Sequence, residues 1–300
     1  MFSKTFRAGL ALQIARAAIP GAAIATFFIV NACTDQRQDV GRPMAPETAA
    51  LAETVLDDGT YYGKVVPLGP GNARTYVTLQ DGAPVELGVE LSEGALAGLP
   101  TEGSHDAHSN MPHMMENAWD LPLPAQAGAT AYKSVYIGWM PTGHDAPYNR
   151  PHFDFHFYVV PTADRLAISP TDPQWAQKAA NLPAQDYWPQ RYFPLNLLIN
   201  KPAGDVTAPA MGLHWLDIAA PELHGAEFRY TLFYGSWNGK IIFDEPMITK
   251  AVLESRETVD VTLPPAAQYV SEGLRAGGYR VYWNESTDRH RVALVELSER

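Results

Sequence analysis

The sharpest pattern of potential metal ligands in the chain lies in residues 152–158, HFDFHFY. Because side chains alternate between the two faces of a strand, a strand here places His152, Asp154 and His156 on one face and three phenylalanines on the other. Two imidazoles and a carboxylate suit a divalent ion, and we expect zinc, with copper or iron as alternatives. Next-but-one residues of a strand lie about 6.6 Å apart, so all three side chains reach one ion only if the strand bulges.

A simpler interpretation of this pattern remains open. The polar face is then half exposed, and Asp154 only forms a hydrogen bond with one of the histidines. Even with a metal present, a histidine beyond the reach of the ion would be oriented by the carboxylate and would not be a ligand.

Further ligands must come from other strands or loops. His144 lies in a loop rich in Gly and Pro, GHDAPYNRPH, which leads directly into the strand. His214 lies among apolar neighbours in MGLHWLD. A buried imidazole needs a partner there, and a core histidine is as consistent with this setting as a ligand.

Glu245 is the carboxylate that we expect to complete the site. Asn238-Gly239 is typical of a two-residue hairpin turn, and counting outward from it pairs Leu232 with Glu245. This register places Glu245 on an apolar face with Tyr234, where a carboxylate requires a cation, a proton or a metal. Asp244 falls on the opposite face, where we expect it to be solvated.

Histidines and methionines also cluster in residues 105–116, HDAHSNMPHMME. Such soft ligands suit copper, but their spacing matches no fixed geometry, and the segment is better interpreted as a loop over the mouth of the core. One of its histidines, His113, is expected to support the main site. The predicted site therefore has four ligands and three supporting residues: His152, His156, His214 and Glu245, then Asp154, His144 and His113.

The elements that position these residues are mostly strands. Alternating hydrophobicity and turn dipeptides predict a mainly β, α+β fold with an antiparallel sheet, a barrel or a sandwich and a few short helices. A capped helix is expected at residues 171–181, and a helical turn in SEGALAGLP. Strands are expected at residues 60–68, 74–80, 83–91, 132–140, 151–160, 212–218, 228–237, 240–244, 259–263, 279–283 and 290–297.

Composition excludes several classes of function. Acidic residues outnumber basic ones, 33 to 22, and the formal charge is −11. Without clustered Lys and Arg, a nucleic-acid partner is not expected. The single cysteine excludes a disulfide framework, a cysteine zinc cluster and a dithiol redox centre. Phosphate-loop, GxSxG and HExxH motifs are absent from the sequence, so a metal would be held by histidine and carboxylate.

The single cysteine, Cys33, follows a segment typical of an export signal. Three basic residues precede an apolar run of about 14 residues, which is shorter than the ~20 needed to span a membrane. Ala32-Cys33 resembles the lipobox of bacterial lipoproteins, although Asn31 is unusual there and leaves an ordinary cleaved signal or an uncleaved anchor open. Removing residues 1–32 takes away three positive charges and no negative one, so the net charge becomes −14.

These features divide the chain into three parts. We expect residues 1–33 to be a signal peptide with a lipidated Cys33, residues 34–56 a tether with a short helix, and residues 57–300 a single β-rich domain. The mature protein would then be an exported lipoprotein that faces the periplasm or the cell exterior and contacts the membrane through its lipid alone.

Three segments together resemble a known family: GHDAPYNRPHFDFHFY, MGLHWLD and FYGSWNGKIIFDEPMIT. The family is an uncharacterised bacterial one, typified by a Thermus protein under sigma-E control, with PHFDxHFY and EPMIT signatures. The resemblance covers roughly residues 61–254. It implies a secreted or envelope protein that is rich in β-structure and can form homo-oligomers, and it implies no established reaction.

Two functions follow from these observations and remain alternatives. In the first, a metal site activates water for hydrolysis or hydration. In the second, the protein is a non-catalytic envelope module, and its polar face is a hydrogen-bond network or a pocket for an unidentified small molecule.

Overall fold

Two antiparallel sheets form the protein in a computed structural model that describes residues 57–101, 117–268 and 272–299. The described residues belong to one compact unit, Glu53–Arg300. The strands are β1 (Gly59–Tyr62), β2 (Val66–Leu68), β3 (Gly71–Gln80), β4 (Ala83–Ser92), β5 (Ala118–Leu121), β6 (Ser134–Met140), β7 (His152–Tyr158), β8 (Tyr192–Pro194), β9 (Thr207–Ala208), β10 (Gly212–Asp217), β11 (Tyr230–Trp237), β12 (Lys240–Thr249), β13 (Val259–Thr262), β14 (Gly278–Asn284) and β15 (Arg289–Val295).

Short helices connect some of these strands. The 3₁₀ turns are Glu93–Leu96, Ala125–Ala129, Gln185–Tyr187 and Pro221–His224. The α-helices are α1 (Thr162–Leu166), α2 (Trp175–Ala180), α3 (Leu195–Leu198), α4 (Ala203–Val206) and α5 (Lys250–Ser255). Among the described residues, no helix combines the length and the apolar character that crossing a membrane requires.

The first sheet has seven strands in the order β1-β3-β4-β15-β14-β13, and β2 pairs with β3. The second has eight strands in the order β5-β6-β7-β12-β11-β10-β8, and β9 pairs with β10. Neither sheet closes into a barrel within the described residues. The prediction of a mainly β fold with antiparallel sheets and short helices is confirmed.

One hydrophobic core draws side chains from both sheets, which therefore pack against each other. Alternation along β7 directs Phe153, Phe155 and Phe157 into this core, each with 0% of its surface exposed. From the first sheet, β4 and β15 contribute Val89 and Leu294 to the same cluster. The phenylalanines thus occupy the face of β7 that the sequence pattern predicted for them, and the histidines lie on the other face.

Loops and short helices cover this other face of the second sheet. Ile168, just after α1, joins a buried cluster with Tyr158 and Phe243. Tyr148, from the loop before β7, joins another with Met247. The polar residues of β7 are consequently buried and not half exposed.

The predicted exposure of Asp244 to solvent is wrong. This residue was expected to be solvated but is 2% exposed. Its carboxylate accepts a hydrogen bond from the Tyr132 hydroxyl, and the Arg275 guanidinium lies 3.4 Å away. The cause is the position of β12 inside the sheet, between β7 and β11, with the other sheet packed over its core face.

We expect Phe155→Ala to lower the free energy of unfolding by about 3–5 kcal/mol, because it empties a ring-sized volume between the sheets. Phe193→Ala is a matched control, since Phe193 lies on β8 with 37% of its surface exposed, and it should cost about 1 kcal/mol or less. Urea unfolding of both variants measures the difference. Equal losses would contradict the assignment of Phe155 to the shared core.

Candidate metal centres

Strand β7 carries its polar residues in the middle of the second sheet. It pairs with β6 on one side and with β12 on the other. His152, Asp154 and His156 are each at most 1% exposed. Buried polar groups of this kind require hydrogen-bond partners or a bound ion.

His156, His214 and Glu245 form the first cluster, which we call the His156 group. They come from β7, β10 and β12, three strands that the fold brings together. The Nε2 atom of His156 lies 3.2 Å from Oε1 of Glu245, and Nε2 of His214 lies 3.4 Å from Oε2. Two atoms that bind one zinc ion at tetrahedral angles, with bonds of about 2.0–2.1 Å, lie about 3.4 Å apart. The spacing therefore fits a single ion.

A β-bulge brings Glu245 to this face. Trp237 pairs with Lys240 as predicted, but the register then moves from Ser236–Ile241 to Gly235–Phe243, which leaves Ile242 as an extra residue in β12. Glu245 consequently pairs with Phe233, and its predicted pairing with Leu232 is wrong. Gly235 permits this arrangement because a Cβ atom there would collide with the ring of Phe243.

Burial disfavours the charged forms of His156 and Glu245 when no ion is bound. Desolvation lowers the pKa of His156 to about 4, so the ring is neutral at pH 7 and has a lone pair to offer. Desolvation, together with the nearby charge of Asp154, raises the pKa of Glu245 well above its ordinary value. A cation would reverse the second effect by favouring the ionised carboxylate.

His144, His152 and Asp154 form the second cluster, the Asp154 group. Nε2 of His152 lies 3.0 Å from Oδ1 of Asp154, and Nε2 of His144 lies 3.3 Å from Oδ2. The Nδ1 atom of His152 donates a hydrogen bond to the Arg150 carbonyl at 2.6 Å. Within each group, one ligand atom per residue lies within 4.8 Å of the others.

The two histidines of the Asp154 group lower the pKa of its carboxylate. Burial alone would raise the pKa of Asp154, but the neighbouring His152 and His144 outweigh it and hold the pKa well below its usual range. Desolvation lowers the pKa of His144, but the hydrogen bond to Asp154 and the charges of Asp154 and Asp145 together outweigh this effect and raise the pKa above its ordinary value. Asp154 is therefore ionised at neutral pH.

Several buried ligand atoms have no hydrogen-bond partner within the described part of the chain. They are Nε2 of His156, Oε2 of Glu245, Nε2 of His152 and Oδ1 of Asp154. Leaving such an atom unsatisfied costs about 1–3 kcal/mol. A divalent ion would satisfy the two unpartnered atoms of each group together.

The structure divides the predicted site into these two groups. Three of the four predicted ligands, His156, His214 and Glu245, come together. The fourth, His152, lies instead with the two predicted supporting residues, Asp154 and His144. His113 and Cys33 lie outside the described residues, as do the expected helix in residues 47–56 and the loop at 105–116.

Two residues beside His156 were not predicted. The ring of Tyr158 stacks on His156 with centroids 5.6 Å apart. The buried Arg165 of α1 lies over the ring of Tyr136, 4.4 Å from its centroid, and donates a hydrogen bond to Asp120. Alternation along β7 could have indicated Tyr158, which is two residues from His156. No local pattern marks Arg165, because it reaches the site through the packing of a separate helix.

Comparison of the chain with curated proteins and with solved structures gives no match. A protein-family comparison gives one. The match is shorter than the expected resemblance and ends before the HFDFHFY segment. Residues 80–139 match the TTHB210-like family, described as hypothetical protein TTHB210, and this confirms the resemblance to an uncharacterised family typified by a Thermus protein.

Proposed function

We propose that this chain is a divalent-metal protein with its ion bound by His156, His214 and Glu245. One observation carries the proposal: two imidazoles and a carboxylate from three strands converge within 4.8 Å in a buried setting. Nε2 of His156 and Oε2 of Glu245, which have no hydrogen-bond partner in the described chain, support it, because one cation would satisfy both atoms. Zinc is the expected ion, and iron or copper could use the same ligands.

Three protein ligands would leave a coordination position open, as in catalytic zinc sites. An ion held there would act as a Lewis acid and lower the pKa of a bound water molecule toward ~7, which suits hydrolysis or hydration. His214 is the accessible member of the group, since its side chain is 15% exposed and those of His156 and Glu245 are at most 2% exposed. A substrate would therefore approach from the side of β10.

A non-catalytic module is the alternative function, and one observation favours it. His144 and Asp154 form a hydrogen bond at 3.3 Å, so these two side chains can satisfy each other directly. If protonation allows the residues of the His156 group to form hydrogen bonds with one another as well, the polar face is an internal hydrogen-bond network. Metal binding distinguishes the two functions.

Loss of a hydrogen-bond partner of a metal ligand weakens metal binding by about 10–100-fold. We expect His214→Ala to weaken it by more than this, because the substitution removes a direct ligand. The full-length protein is stripped with a chelator and titrated with zinc, and bound metal is measured by elemental analysis. His224→Ala is the control, because His224 is exposed and its Nε2 atom donates a hydrogen bond to the backbone carbonyl of Ile218. Equal zinc affinity in the two variants would contradict the proposal.

We also propose that the protein is exported and anchored by a lipid on Cys33. The basic and apolar N-terminal segment and the following cysteine support this. Labelled fatty acid should enter the wild-type chain in a bacterial host that processes lipoproteins and should be absent from Cys33→Ser. Equal labelling of both chains would contradict the anchor. Homo-oligomerisation stays a prediction of the family resemblance.

A further inference from the structure

We propose that His144, His152 and Asp154 bind a second divalent transition-metal ion, separate from the ion of the His156 group. Each group provides two imidazoles and one carboxylate, so each could hold an ion without the other. The inference goes beyond the proposed function, which needs only the His156 group.

The hydrogen bond of His152 to the backbone leaves its Nε2 atom facing Asp154. Because Nδ1 donates to the Arg150 carbonyl, Nε2 of a neutral ring carries the lone pair. That lone pair lies 3.0 Å from Oδ1 of Asp154, which is also an acceptor. Neither atom has a partner with hydrogen-bond geometry in the described chain. A cation between them satisfies both.

The distances within the group fit one ion. Two ligand atoms at about 2.1 Å from an ion lie about 3.0 Å apart at octahedral angles and about 3.4 Å apart at tetrahedral angles. The observed separations, 3.0 Å from Nε2 of His152 to Oδ1 of Asp154 and 3.3 Å from Nε2 of His144 to Oδ2, lie within this range. Zinc, iron(II) and manganese(II) are the ions of this class that imidazole and carboxylate ligands accept.

The fold holds the three side chains in place before any ion binds. His152 and Asp154 lie on β7, which has a paired strand on each side. The backbone N–H of His144 donates to the Tyr148 carbonyl at 3.1 Å. The preceding Gly143 has φ +74°, and a Cβ there would collide with the backbone of Tyr148 and Arg150. The loop therefore needs glycine at this position to direct His144 toward Asp154.

The spacing of residues along β7 places this ion apart from the ion of the His156 group. Asp154 and His156 are next-but-one residues on β7, about 6.6 Å apart along the strand, whereas the ions of two-metal centres lie about 3.5–4 Å apart. The geometry thus favours two mononuclear sites. Solvent reaches the Asp154 group through His144, whose side chain is 20% exposed. A cleft of about 380 Å³ lies nearby, and Phe228 of its lining packs against the His152 ring, with centroids 5.2 Å apart.

The test counts ions in the full-length protein after chelation and dialysis against zinc or manganese. Wild type should bind two equivalents, His144→Ala one, His214→Ala one, and the double variant none. His144 lies on a partly exposed loop, so its replacement leaves the β7 ladder intact. Gly143→Ala keeps every ligand and should weaken the binding of one of the two metal equivalents by at least about 10-fold, because it displaces the His144 backbone. Gly128→Ala, which meets no atom within 4 Å, is its control.

The outcomes separate the two proposals. One equivalent that survives His144→Ala and is lost in His214→Ala would overturn the second site and leave the first. One equivalent that is lost in His144→Ala and survives His214→Ala would support the second site and overturn the proposed function. No bound metal in wild type would overturn both.

Discussion

Glu245→Gln is expected to stabilise the metal-free protein by about 1–3 kcal/mol at pH 8 and to weaken metal binding by more than about 100-fold. The Glu245 carboxyl is 2% exposed, and one of its oxygens has no partner in the described chain. Glutamine keeps the shape of the side chain but cannot ionise or bind the ion as a carboxylate. Chemical unfolding in chelator and zinc titration measure the two effects.

The sign of the stability effect follows from the raised pKa of Glu245. Above its ordinary value of 4.5, the unfolded chain releases the proton while the folded chain retains it. The stability of the metal-free wild type therefore falls as the pH rises through this range. Glu245→Gln should remove that part of the pH dependence and leave the remainder unchanged.

Glu227→Gln is the control for this experiment. The Glu227 side chain is 62% exposed and pairs with Arg150, so its replacement should change stability by no more than about 0.5 kcal/mol. A structural carboxylate at position 245 would behave differently. If Glu245→Gln destabilises the metal-free protein and leaves zinc affinity unchanged, the metal-site assignment is wrong.

Glu90→Ala is expected to lower the free energy of unfolding by about 3–5 kcal/mol. Glu90 is fully buried on β4, with Arg74 at 2.7 Å and Arg291 at 2.5 Å. The Arg289 guanidinium is a third neighbour at 3.7 Å. Without the carboxylate, three positive charges remain close together, one of them buried and the other two at most 20% exposed, and repel one another.

A surface ion pair provides the comparison for Glu90. Glu257 pairs with Arg229 at the surface, and both side chains are at least 36% exposed. Glu257→Ala should cost about 1 kcal/mol or less, because solvent screens the pair. Urea unfolding at neutral pH measures both variants, and a similar small loss in each would show that the buried pairs contribute little.

The faces of β7 could be predicted because alternation is a local property of a strand. The pattern placed Phe155 in the core and Asp154 opposite it, and the strand spacing indicated that three next-but-one residues reach one ion only if the strand bulges. Burial of the polar face could not be predicted from the strand, because it depends on loops such as the one carrying Tyr148.

The division of the ligands into two groups could not be predicted for two physical reasons. The bulge at Ile242 changes which residues of β11 and β12 are opposite each other, and it depends on Phe243 packing where Gly235 has no side chain. His144 reaches Asp154 through a loop whose path depends on the backbone of Gly143. Neither feature has a signal in hydrophobic periodicity.

We propose that the polar face of β7 binds metal. Anomalous diffraction at the zinc edge, from crystals of the full-length protein grown with zinc, tests it most directly. The predicted result is one peak about 2.1 Å from Nε2 of His156 and a carboxylate oxygen of Glu245, and a second at the same distance from Nε2 of His152 and a carboxylate oxygen of Asp154. Zinc-containing crystals in which both groups lack an anomalous peak would contradict the claim.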